Sequence, residues 1–193
     1  EDREKNDVYT KEHLALARDV AKKSIVLLKN QNKLLPLSKT IKSIAVIGPL
    51  ADDKDSPLGN WRGMGEYNSA VSLLEGVKNA VGKNTKIYYE EGGAITIPTI
   101  KPGDNQFLFP LKFNDTDVSG IPAAVEAAKK AEVVLLAIGE NAYQSGEGRS
   151  QTNIGFFGVQ QQLLEAVYKV NKNVVIVLMN GRPMDISWAA NHV

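Results

Sequence analysis

Cysteine is absent from this 193-residue chain, and histidine occurs only twice. No disulfide can staple the fold and no thiolate can act as a nucleophile. The absence fixes no compartment, because bacterial periplasmic and cytosolic proteins both manage without cysteine. Two histidines without cysteine also argue against a zinc site, and no cofactor is expected. A charge surplus is missing as well: 23 Lys and Arg face 22 Asp and Glu, for a net charge of +1. No basic stripe of the kind that tracks phosphates or anionic lipid is visible, so neither nucleic acid nor a membrane surface is an expected partner. No apolar run approaches the roughly 20 residues that span a bilayer. The opening "EDREKNDVYTKEH" is polar where a signal peptide would be apolar. The G-x-G-x-x-G fingerprint, the G-x-x-x-x-G-K-[ST] phosphate loop and the G-x-S-x-G elbow are all missing, which argues against dinucleotide, nucleotide triphosphate and serine-hydrolase chemistry.

What is present is a chain with 43% hydrophobic residues, long enough to bury a core and suited to a single domain over residues 1–193. It starts at Glu1 rather than Met and stops at "DISWAANHV", where "RPMDISWAA" reads as the opening of another helix. The expectation is a fragment of a longer protein, truncated at the C-terminus.

Periodicity sets the elements. Residues 11–30 place Leu14, Ala17, Ala21, Ile25 and Leu28 at steps of three and four, behind an N-cap at Thr10, and predict a helix. "SIAVIGP" (43–49) reads as a buried strand, 70–82 as a helix closing on a glycine, and "KIYYEEG" (86–92) as a strand. A helix over 120–131 follows, with Pro in its first turn, then the strand "EVVLLAIG", the helix "VQQQLLEAVYKVN" and the strand "NVVIVLMNG". Strands alternate with helices and the central strands are apolar throughout. The expected fold is therefore a three-layer α/β/α sandwich on a mainly parallel sheet, flavodoxin-like in layout.

In such folds ligands gather at the carboxyl ends of the strands. The long segments 51–69, 93–118 and 139–156 all leave those ends, and so does "NGRP" after the last strand. The segments 51–69 and 93–118 exceed the usual connection of about 4–6 residues, and loops of that length are usually either functional or disordered. The stretch "GENAYQSGEGRSQTN" sets Glu140 and Glu147 on one of them. Glu140, at the strand end, reads as structural, bonding amides of its own loop. Glu147, between two glycines, can reach a neighbouring cleft, and Arg149 can pair with either carboxylate. Trp61 in "LGNWRG" is either buried core, the commoner fate, or a stacking platform for a sugar ring. Asn114-Asp115-Thr116 matches a glycosylation sequon.

At "AKKSIVLLKNQNKLLPL" (21–37) the chain resembles the second domain of family 3 glycoside hydrolases, the β-glucosidase and β-xylosidase group. "IAVIGPLAD", "LGNW" followed by "SLLEGVK", "SGEGRSQTNI", "QQQLLEAV" and "VVIVLMNGRPMDISW" agree, in order, with that family. The resemblance implies an α/β sandwich attached to a (β/α)8 barrel that this chain lacks. It implies retaining hydrolysis of β-linked oligosaccharides or glycosides, with an aspartate nucleophile on the barrel. Glu147 then falls at the acid/base position of the S-G-E-x-x-S-R pattern, together with Ser145 and Gly146. The arginine arrives early, at Arg149, so its role as a substrate-binding residue is carried over less firmly than that of Glu147. Trp61 matches a G-x-W segment that borders the sugar site in some members. The isolated chain is expected to be inactive, and the full-length protein periplasmic or secreted. A second reading keeps the domain as a brace that lines outer sugar subsites, with acid/base duty elsewhere, as in aminosugar-cleaving members that use a barrel histidine.

Overall fold

The computed structural model of the chain describes residues 2–31, 33–97 and 110–193. They form two compact units, Glu1–Leu35 and Pro36–Val193. The first unit holds α1 (Asp2–Asp7) and α2 (Lys11–Ser24). Thr10 caps α2 as expected, its hydroxyl accepting from the His13 N–H at 3.2 Å. The helix ends at Ser24, six residues short of the periodicity, and Ile25 is already extended. Two β-branched residues in succession, Ile25 and Val26, lose side-chain freedom in a helix and favour that exit. Residues Ile25 to Leu28 are exposed, and no residue of α2 is buried.

The second unit is built on four parallel strands: β1 (Ser43–Ile47), β2 (Lys86–Glu90), β3 (Val133–Gly139) and β4 (Val174–Met179), in the order β2-β1-β3-β4. Ile47 pairs in register with Glu90 on one side and Leu136 on the other, and Leu136 with Ile176. Every residue of β3 is buried, as a strand covered on both faces requires. Between the strands lie α3 (Leu73–Ala80), α4 (Ile121–Lys130) and α5 (Gln160–Val170), with α6 (Ser187–His192) after β4. Side chains alternate across the sheet. Ala45, Ile47, Val134, Leu136 and Ile138 meet Ala124, Ala127 and Ala128 of α4 and Leu163, Leu164 and Val167 of α5. The alanines let α4 lie close to the strands, and burying each larger aliphatic side chain is worth about 1.5–3 kcal/mol. Ile44, Val46, Leu135 and Ala137 alternate to the opposite face and are buried there, the face to which the right-handed crossover rule assigns α3 of the β1–α3–β2 unit. The three-layer α/β/α expectation is thus met, with helix and strand ends shifted by only a few residues. Gly82 does not cap α3; Val81 closes it in an extended conformation.

The long insertion after β2 contributes an antiparallel bridge, Thr96 with Phe113, with Phe113 stacked on Phe157 at 4.4 Å. Residues 98–109 of the expected 93–118 loop lie outside the described residues. The sequon at Asn114 is not a usable acceptor in this fold. Asn114 is 5% exposed, and its amide nitrogen donates to the Ala94 and Asp117 carbonyls, both at 3.1 Å.

Candidate active site

Because the sheet is parallel, the loops after β1, β2, β3 and β4 share one rim. The strand order reverses direction between β1 and β3, the place where α/β sheets open a crevice. The loops leaving those two strands meet there. A hydrogen bond runs from the Ala142 N–H to Ser56 Oγ at 3.1 Å. The Ser56 hydroxyl in turn donates to Asp53 Oδ2, while Asp53 Oδ1 accepts from the Asp55 and Ser56 N–H groups at 2.8 Å each. Short 3-10 turns, Ser56–Leu58 and Ala142–Gln144, face each other across this link.

The exit of β3 is fixed with particular care. Gly139 has φ +138°, and a Cβ there would sit 1.9 Å from the Met179 carbonyl oxygen. Gln160, fully buried at the start of α5, accepts from the Gly139 N–H at 2.8 Å and donates to its carbonyl at 2.9 Å. Asn141 then caps the 3-10 turn by accepting from Tyr143 N–H, and its amide reaches Thr96 Oγ1 at 3.1 Å. Gly146 is the second glycine the geometry demands. Its φ is +113°, and a Cβ would lie 1.7 Å from Asn60 Nδ2. The "SGE" stretch is therefore laid directly against the loop that carries Trp61.

The expected site residues fall out as follows. Glu147 is exposed at the head of this loop, and among the described residues its side chain is held in no hydrogen bond or ion pair. Arg149 is half-buried and its N–H closes a turn on the Gly146 carbonyl at 3.2 Å. Trp61 is 69% exposed, so the commoner expectation of burial fails at this position. Tyr67 and Met64 are exposed near it in sequence. Glu140 is buried, as a structural residue should be, but its partner is neither Arg149 nor an amide of its own loop. Arg182, after β4, grips Glu140 Oε1 with Nε at 2.7 Å and with Nη2.

Two further carboxylates on the β1 loop are engaged. Asp52 accepts from Ser72 Oγ at 2.6 Å, and Asp55 pairs with Arg62 at 2.7 Å. Partial burial pushes the Arg62 pKa down, but the hydrogen bond and charge of Asp55, with help from Tyr67, leave it above its ordinary value. The Arg62 guanidinium lies 4.3 Å over the Tyr67 ring. Tyr143 nearby is pushed up by burial first and by the Asp55 charge second, with Arg62 opposing. Glu66 shares the exposure of Glu147 but sits on the neighbouring loop.

The chain matches, over residues 25–193, the family described as Glycosyl hydrolase family 3 C-terminal domain. It belongs to that family. A β-xylosidase of Formosa agariphila is 36% identical over 197 residues, covering all of this chain and 25% of that protein. The periplasmic β-glucosidase of Salmonella typhimurium is 41% identical over 174 residues, covering 89% of this chain and 23% of that protein. The crystal structure of a Listeria innocua β-glucosidase in complex with isofagomine matches with a TM-score of 0.78 at 30% identity, over 97% of this chain and 23% of that one. The chain thus spans about a quarter of the length of these relatives. As a family 3 C-terminal domain it is an α/β sandwich from a group of glycoside hydrolases. Sequence reading missed Asn60, Ser56, Gln144, Gln160 and Arg182 at the site, because each works through a contact distant in sequence and no local spacing announces it.

Proposed function

We propose that the chain is the sandwich part of a retaining β-glycosidase, of β-glucosidase or β-xylosidase type, and that Glu147 is its acid/base. In this reading the rim closes over a β-linked sugar held on a (β/α)8 barrel, which supplies the aspartate nucleophile. Trp61 offers a face to a sugar ring, and Arg149 shapes the substrate side of the loop. One observation carries the assignment: Asp52, Asp53, Asp55 and Glu140 are each occupied by a partner, whereas Glu147, exposed like Glu66, lies next to Gly146, whose backbone packs against Asn60. A retaining glycosidase needs two carboxyl groups about 5–5.5 Å apart, one ionised and one protonated. Since this chain then holds only one of them, it is inactive alone. The full-length protein is periplasmic or secreted in this reading, in keeping with the named location of the Salmonella relative.

The test is Glu147→Ala in the full-length protein, with Glu66→Gln as control. Glu147→Ala slows poor leaving groups far more than activated aryl glycosides, which need little proton donation. Azide, attacking without general-base help, restores turnover of the activated substrate and yields a glycosyl azide of retained configuration. Turnover of disaccharides within about twofold of wild type would transfer the acid/base role elsewhere and leave the bracing reading.

A further inference from the structure

Three buried side-chain atoms lack a hydrogen-bond partner among the described residues: Asn60 Oδ1, Glu140 Oε2 and Gln144 Nε2. All three lie in the two loops that meet at the Glu147 segment. The described side chains therefore leave hydrogen-bonding capacity open on these two loops. The Glu140–Arg182 ion pair makes the point most sharply. Glu140 has a side chain only 2% exposed, Arg182 takes one of its oxygens with two N–H groups, and the other oxygen is orphaned. Buried ion pairs seldom add net stability over an apolar replacement; their better-attested use is to fix one arrangement. The sheet does not need this pair at the exit of β3. Glu140 N–H already bonds the Met179 carbonyl at 2.8 Å, and Gln160 already holds Gly139. What the pair adds is a tie between the loop after β3 and the loop after β4. Beside it the Gly181 backbone neighbours Ser145: a Cβ at Gly181 would lie in ordinary contact, 3.4 Å from Ser145 Cβ.

We infer that Glu140 and Arg182 are positioning residues for Glu147. Their ion pair sets the β4 loop against Ser145, and with Asn60 against Gly146 on the other flank, residues 145–147 are held from two sides. The inference rests on reading Glu147 as the acid/base. A carboxyl group that must deliver a proton tolerates little misplacement, since about 1 Å of error can cost up to 10²-fold in rate.

The experiment measures kcat/KM of the full-length enzyme on aryl β-glucosides and aryl β-xylosides of graded leaving-group pKa. Glu140→Gln keeps the shape and removes the charge. It is expected to steepen the dependence on leaving group, with a loss of about tenfold for poor leaving groups and little loss for activated ones. KM stays within about twofold. Arg182→Lys, which keeps a cation on Glu140 but loses the fork, steepens it less. Adding Glu140→Gln to Glu147→Ala changes the slope no further, because the effect runs through Glu147. A uniform loss across leaving groups, a wild-type slope in a folded Glu140→Gln enzyme, an additive double variant, or failure of both single variants to fold would each overturn the inference. A steep Glu147→Ala slope beside a wild-type Glu140→Gln slope removes this inference alone. A wild-type slope for Glu147→Ala removes the acid/base reading together with it.

Discussion

The two edges of the sheet are built from the same four strands to opposite standards. At the amino edge the connections are short, 81–85, 131–132 and 171–173, and their polar groups are closed. Asn171 donates to the Ala128 and Ala131 carbonyls at 2.9 Å each, Asn173 donates to the Glu132 carbonyl, and Glu132 N–H bonds Ser43 Oγ. At the carboxyl edge the connections run over 48–72, 91–120 and 140–159, and the orphaned atoms of Asn60, Glu140 and Gln144 gather there. Among the described residues, one edge closes its side-chain polar groups on the fold, while the other leaves three polar atoms open on the loops around an exposed carboxylate. Incomplete satisfaction of this sort clusters where function overrides local stability.

The sharpest way to break the contrast is to disturb the carboxyl edge where the fold does not depend on it. Gly146→Val puts a branched side chain at φ +113° and drives it into Asn60, whose Nδ2 would lie 1.7 Å from the new Cβ. The "SGE" segment must leave its seat. Activity of the full-length enzyme should fall by about 10²-fold, while Tm changes little because the residue is exposed and outside the core. A large loss of Tm with activity per folded molecule retained would mean the two edges do not divide the labour.

The amino edge predicts the reverse. Asn171→Ala removes two donated bonds and the acceptor for Asn173 N–H at 2.9 Å. At about 1 kcal/mol for each bond, partly offset by water, the cost is about 2 kcal/mol, or a fall in Tm of roughly 4–8 °C. Specific activity at low temperature should be unchanged. Thermal melts paired with kcat/KM at 25 °C decide it, and a loss of activity exceeding the loss of folded protein would contradict the division.

Legibility followed the same split. The β1, β3 and β4 segments could be read because buried parallel strands are uninterrupted apolar runs, and their helices because small apolar residues recur at three and four. Reading α2 on to residue 30 failed because Leu27 and Leu28 prolong the periodicity past Ile25 and Val26, where backbone preference ends the helix. At the rim, the exposure of Glu147 could be read from its glycine flanks, while Trp61 misled because bulk alone does not decide burial. Arg182, Gln160 and Asn60 were invisible. Their roles depend on which loops the sheet order brings together, and that order is set by long-range pairing that no sequence window contains.

The smallest effect tests whether a satisfied carboxylate on the carboxyl edge behaves as an ordinary one. Asp185 follows β4 and its N–H bonds the Ile154 carbonyl at 2.9 Å. Its pKa is lowered first by the hydrogen bond from the Ser187 hydroxyl and then by that from the Ser187 N–H, with a slight opposing push from burial. A carboxyl group depressed in the folded state stabilises the fold above its unfolded pKa, about 3.9, and loses that contribution as pH falls through the lowered folded value. Asp185→Asn keeps an acceptor for Ser187 but removes the charge. Wild type should therefore melt slightly above the variant at pH 7, with the gap closing as the solution is taken below about pH 3. The side chain is solvated, so added salt should shrink the gap as well. A gap that widened on acidification would show that Asp185 is held protonated in the fold, against the lowering by the Ser187 hydrogen bonds.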